Sequence, residues 1–271
     1  MKHVYKLVAG LMLLGSSTSA QELFVYTEPA SNMPAHSIGL RLNQWFMNEA
    51  GVGLNYHLLP EVMWGVNKAL MLHTEAFVSN RGAGGLRYEG VGAYAKYRFY
   101  SHDGDHRHFR AAAFARGGVN NADIHQDEIE TNGHNTGGEL GLIGTQLLNR
   151  TALSATASAE HALDNRQGKE AFPDGAARTA INGTLSAGHL FLPHKYTGYD
   201  QVNFNGMVEL LGQWLPENGK YYLDVAPSIQ LIFHSQTRVD VGYRFSIAES
   251  MVRTAPSGFL VRVEHLLFGA L

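Results

Sequence analysis

From Ser37 to the end of the chain, apolar and polar residues alternate with a period of two, and no stretch carries the 3.6-residue period of an amphipathic helix. The alternation predicts twelve strands, at 37–47, 53–64, 69–79, 86–100, 108–120, 135–148, 151–163, 179–192, 202–215, 221–233, 237–247 and 258–268. Most are longer than the ~5–6 residues usual in a soluble sheet and reach the ~9–11 that a tilted strand needs to cross a bilayer. The connections alternate as well. Those after even-numbered strands cover 65–68, 101–107, 149–150, 193–201 and 234–236, and those after odd strands include 121–134, 164–178 and 248–257. Short turns on one side, longer loops on the other and an even strand number describe an antiparallel up-and-down transmembrane β-barrel of a bacterial outer membrane, with both termini periplasmic.

Alternation alone does not say which face is inside, since a soluble sandwich shows the same period. The apolar parity that includes Leu58 and Val62 places Trp64, Phe99, Phe109, Phe191, Phe204 and Phe233 beside the short turns, and Trp214, Phe245 and Phe259 at the opposite edge. Two aromatic girdles flanking aliphatics fit a lipid-facing wall. The middle of that face is often small, as at Ala111, Ala113, Ala115, Ala155, Ala157 and Ala159. Lipid tolerates this, whereas a soluble core needs more volume to fill it.

The opposite parity carries Arg41, Lys96, Arg98, Arg110, Arg116, Arg238, Arg244 and Arg262 against Glu61, Glu75, Glu139, Glu160, Glu209, Asp224, Asp240 and Glu264. Cations and anions balance one for one, which predicts salt-bridged ladders lining a lumen and setting its selectivity. Gly90, Gly92 and Gly242 share this face and relieve crowding inside a curved wall, while Pro60 and Pro227 remove ladder donors and predict bulges.

The start of the chain has another character. Lys2, His3 and Lys6 precede the apolar run Leu7–Leu14, and small residues lead to Ala20. This is the pattern of a cleaved secretory signal peptide over 1–20, too short to span a bilayer. Residues 21–36 then form a polar lead, either a plug folded into the barrel with Phe24 and Tyr26 as anchors or a free periplasmic segment, and 37–271 form the barrel.

Composition agrees. Charged residues make up 17%, glycine is raised at 30 of 271 residues, and the net charge is −3, which excludes a basic nucleic-acid binder. With no cysteine, disulfides, thiolate metal sites and cysteine nucleophiles are excluded.

Two stretches carry a resemblance: Glu22–Leu42, opening Glu22-Leu23-Phe24-Val25-Tyr26, and Pro60–Asn80, opening Pro60-Glu61-Val62-Met63-Trp64-Gly65. Together they resemble an uncharacterised Bacteroidota outer-membrane β-barrel family, itself similar to transporters of the phenol-degradation MetA-pathway type. The resemblance implies a barrel and a transport role, and brings no catalytic or binding residue with it.

Twelve strands enclose more space than eight, which side chains alone fill, and less than a sixteen-stranded porin. The sequence therefore points to a passive channel for small solutes, hydrophobic or aromatic ones among them, with Tyr94, Phe114 and Tyr222 on the inner parity. No cofactor or enzymatic activity is expected, and the partners expected are outer-membrane lipid and lipopolysaccharide. Two clusters, His102, Asp103, Asp105, His106 and His108, and His125, Asp127, Glu128, Glu130 and His134, contain metal-ligand types without a spacing that fixes a geometry. They read as solvated turns.

The alternatives are a hydrolase of the outer-membrane phospholipase type and a structural or adhesive barrel displaying 121–134 and 164–178. The phospholipase motif, His-x-Ser-Asn-Gly, is absent. Its nearest approach is His161-Ala162-Leu163-Asp164-Asn165, although His161, His189 and His265 do fall on the outer face.

Overall fold

The structure is a computed structural model that describes residues 24–49, 53–80, 85–166, 171–195, 197–198 and 200–271. The expected signal peptide lies outside the described residues. The strands are β1 (Ser37–Glu49), β2 (Gly53–Gly65), β3 (Leu70–Ser79), β4 (Arg87–Gly104), β5 (Arg107–Asn120), β6 (Thr136–Leu148), β7 (Thr151–Leu163), β8 (Thr179–Leu192), β9 (Asn203–Trp214), β10 (Tyr221–Phe233), β11 (Thr237–Glu249) and β12 (Gly258–Leu267). Each pairs antiparallel with its neighbours in sequence, and β1 pairs with β12 to close the barrel. Closure leaves no sheet edge, which satisfies the backbone polar groups in hydrocarbon.

The period of two sorts the faces. Leu140 and Leu142 on β6 are 67% and 61% exposed, while Lys96, Glu209, Asp224 and Asp240 are fully buried. Apolar side chains outside and charged ones inside reverse the distribution of a soluble protein and suit a hydrocarbon surround. Phe99, Phe109 and Phe191 are exposed near the short turns, and Trp214, Phe245 and Phe259 at the other edge.

Two local expectations need correction. The turn expected at 101–107 is largely strand: β4 runs on to Gly104 and β5 begins at Arg107, leaving Asp105-His106 as the turn. A register shift between Arg98 and Tyr100 lets this hairpin continue past the point where the alternation breaks.

Pro60 and Pro227 also make no bulge. The β2–β3 register is the same at Leu58↔Val78 and Glu61↔Glu75, with only the two intervening pairs unformed. The same holds for β10–β11 between Val225↔Phe245 and Ser228↔Gly242. A missing N–H deletes a rung without inserting a residue, so the strands stay in step. The register shifts lie elsewhere, at Phe77/Val78, Arg98/Tyr100, Leu190/Leu192 and Leu223/Asp224.

Candidate functional site

Strand register assembles the lining charges. Arg41 on β1 stands opposite Glu61 on β2 and Glu264 on β12. Its guanidinium donates to Glu264 Oε2 at 2.7 Å and to Glu61 Oε2 at 3.2 Å. Glu61 also meets His73 Nδ1. Arg238 lies 2.7 Å from Glu264 and 3.2 Å from Asp240. Arg262 donates to Asn43 at 2.6 Å and stands 3.8 Å from Asp240. On the facing wall, Arg116 on β5 pairs with Glu139 on the adjoining β6 at 3.3 Å and lies 5.2 Å from the centre of the Tyr94 ring on β4. Arg98, in the same register as Lys96 but nearer the short β2–β3 turn, donates to Lys68 O at 2.6 Å.

The lead 24–36 sits inside the barrel, and several lining residues hold it. Glu209 on β9 accepts the Val25 N–H at 2.9 Å, the Tyr26 N–H at 2.8 Å and the Thr27 hydroxyl at 2.7 Å. From the other side, the buried Lys96 ammonium donates to Pro29 O at 2.7 Å, Ser31 O at 2.8 Å and Glu28 at 3.4 Å. Arg41 donates to Glu28 at 2.7 Å, and Arg110 to Ser31 Oγ at 2.8 Å. Burial opposes ionisation of Glu28, yet Arg41 and then Lys96 hold its carboxyl well below the usual range. Phe24, Val25 and Ala30 are buried. Gly242 makes room for Tyr26: a Cβ there would stand 2.7 Å from the ring.

The connection 121–135 between β5 and β6 folds inward from the opposite end. Gln213 on β9 takes the Ile129 backbone in two hydrogen bonds, 2.9 and 2.8 Å. Glu160 accepts the Thr131 N–H at 2.6 Å and Asn182 at 2.8 Å. Asn132, with its amide turned to suit both groups, donates to Glu75 at 2.8 Å. Asp127 pairs with Lys220 at 2.7 Å, and Glu128 with Arg253 and Arg244. Burial would raise the Glu128 carboxyl, but Arg253 and Arg244 hold it below its ordinary value. Ile129 packs with Phe172, Ala177, Leu215 and Met251 into an apolar cap. The loops read as possible displays are therefore partly committed to each other and to the lumen.

Between lead and loop remains a cavity of about 150 Å³, lined by Tyr26, Thr27 and Glu28 below, Asn132 above, and Arg41, Glu75, Tyr94, Phe114 and Arg116 at the sides. The Tyr94 and Phe114 rings are 5.5 Å apart. Sequence reasoning missed Glu28, Asn132 and Arg253, which lie on segments without a period, and Glu128, which it saw only as part of a histidine-rich turn.

Among the described residues, no group of three or more histidine, aspartate or glutamate side chains is placed to hold a metal. Asp103 is taken by His108 at 2.8 Å and Arg110 at 3.2 Å, and His125 shares a hydrogen bond with Thr254 at 3.1 Å. On the outer face His161, His189 and His265 each bond a threonine of a neighbouring strand, Thr179, Thr151 and Thr237. None of these pairs supplies the serine that a phospholipase reading requires.

No family model matches the chain, and no curated protein matches it in sequence. Solved structures match in fold. An outer membrane channel from Pseudomonas putida F1 superposes over 90% of this chain and 100% of its own, with a TM-score of 0.54 and 11% identity. CdiB from Escherichia coli matches more loosely, over 87% of this chain and 64% of its own, with a TM-score of 0.41 and 8% identity. OccAB2 of Acinetobacter baumannii gives 0.38 and 11%, over 83% of this chain and 59% of its own. The likeness is one of architecture. The expected kinship with MetA-type transporters gains no support from the sequence comparisons.

Proposed function

We propose that the chain is an outer-membrane channel that carries small solutes passively through a narrow charged lumen, held closed in the state described by 24–36 below and 121–135 above. The observation that carries this reading is the polar cavity left between two segments that fold inward from opposite ends of the barrel. A purely structural barrel has no use for such a cavity, and its walls belong to the same ion-paired ladder that runs along the lumen. Export through the signal peptide at 1–20, and outer-membrane lipid and lipopolysaccharide around the wall, complete the reading. It includes no cofactor and no catalysis. A cavity of about 150 Å³ has room for a benzene-sized molecule, and the Tyr94 and Phe114 rings offer a small aromatic solute a face to stack on within an otherwise polar lining.

Single-channel conductance in a planar bilayer, with and without residues 21–36, tests it. Discrete steps that grow or become frequent on deletion are expected. Silence from both forms, with the barrel shown to be folded by heat-modifiable migration on a gel, overturns it.

A further inference from the structure

The middle of the inward loop carries a carboxylate, Glu128, held as a ligand would be held. Glu128 Oε2 accepts from Arg253 Nε at 2.9 Å, while Oε1 accepts from Arg244 Nη2 at 3.2 Å and Arg253 Nη2 at 3.4 Å. Arg253 thus reaches both oxygens from one planar fork, the geometry by which guanidinium recognises a carboxylate.

The two arginines are fixed from behind. Asp224 accepts from Arg244 Nε at 2.5 Å and from Arg253 Nη1 and Nη2 at 2.9 and 2.8 Å. Arg253 lies 3.9 Å from the centre of the Tyr222 ring, and Arg244 5.2 Å. At the exposed rim, Arg253 Nη1 also reaches Glu249 at 3.4 Å.

Only Glu128 belongs to the inward loop. Asp224 and Tyr222 stand on β10, Arg244 on β11, and Arg253 on the loop joining β11 to β12. When Glu128 leaves, the buried part of the cluster changes from balanced to an excess of one positive charge. Two oriented guanidiniums then face the place a carboxylate has vacated. Little ordering remains to be done on binding, which is the condition for a strong polar site.

We propose that Arg244, Arg253 and Tyr222 form a carboxylate-binding site at the outer mouth, filled in the closed state by the chain's own Glu128, and that a carboxylate-bearing solute competes with Glu128 and draws the loop out of the lumen. The gating half of this rests on the channel reading; the binding half does not. Because Glu128 is tethered, it competes at the effective concentration of an intramolecular ligand, roughly millimolar or above. A free carboxylate therefore binds the native chain weakly and binds far better once the tethered one is removed.

The test is calorimetric titration of the purified full chain in detergent with sodium acetate, and with sodium chloride as the control anion. Glu128→Ala is expected to bind acetate at least ~10-fold more tightly than the native chain, by removal of that tethered competitor. Adding Arg253→Lys, which keeps the charge and loses the fork, is expected to abolish the gain. Heat-modifiable migration establishes that each variant is folded. Equal acetate affinity in the native chain and Glu128→Ala overturns the site, as does a chloride response matching acetate, or binding indifferent to Arg253→Lys.

For the gating half, acetate is expected to raise the open probability of the chain lacking 21–36. Acetate that binds Glu128→Ala but leaves that conducting form unchanged overturns the gating and spares the site. A form that never conducts sinks the channel reading, with the titration still deciding the site.

Discussion

Glu209→Gln isolates the main anchor of the lead. In the native chain one carboxylate collects two backbone N–H groups and a hydroxyl from residues 25–27, at 2.7–2.9 Å, plus Ser186 at 3.2 Å. Hydrogen bonds to an ionised group contribute ~1.5–3 kcal/mol net against ~1 for neutral ones. Glutamine keeps a carbonyl for the two amides and offers its NH₂ to a hydroxyl that can turn to accept, so each bond to the lead weakens by about 1 kcal/mol rather than vanishing. Relief of a buried charge works the other way, leaving a net loss of about 2 kcal/mol, or ~30-fold in the docking equilibrium.

The chain has no cysteine, so Ala30→Cys supplies a single thiol at a fully buried position of the lead. Its labelling by a bulky thiol reagent reports undocking, and Glu209→Gln should accelerate it about 30-fold by the same arithmetic. Equal labelling rates in the two backgrounds, with both barrels folded, would refute the assignment of Glu209 as the anchor.

Other outcomes follow from the same geometry. Gly242→Ala places a methyl group against the Tyr26 ring, an overpacking worth about 1–3 kcal/mol, and should speed labelling at residue 30 in the same direction. Leu142, midway along β6 on the outer face, should tolerate phenylalanine. Leu142→Arg should cost about 2–4 kcal/mol in the unfolding free energy of the lipid-embedded chain, read by urea titration, and a neutral effect would mean the outer face does not meet hydrocarbon. Glu128 has a carboxyl pKa depressed by Arg253 and Arg244 against burial. Its contribution to holding the loop is therefore complete above the ordinary value of 4.5 and is lost only as pH falls through the lower folded value. The Glu128-dependent part of the open probability of the chain lacking 21–36 should rise only below about pH 4.5, and Glu128→Gln should remove that step.

The strands were legible because alternation is a local property. Each residue on β6 or β7 declares its face by its parity, and the balanced charges on the inner parity announced the ladder that register then paired, as at Arg41 between Glu61 and Glu264. Arg98 keeps the parity of Lys96, and its place near the end of the strand, beside the β2–β3 turn, brings it to Lys68 O, a backbone partner that counting along the strand does not give. Pro60 and Pro227 were overread, since loss of a donor and gain of a residue look alike until the register is known.

What closes the barrel was decided by tertiary structure alone. The lead and the 121–135 loop have no period and read as polar connections. Their partners lie far off in sequence: Val25 meets Glu209 across 184 residues, and Glu128 meets Arg253 across 125. Such contacts exist only once twelve strands have curved into a wall and brought β9, β10 and β11 around a common interior. The sequence by itself determined that twelve antiparallel strands would form and how charged and apolar positions alternate along them, because that period is local. Whether those charges faced open water or gripped the chain's own segments depended on the three-dimensional placement of groups whose chemistry, read singly, fits either.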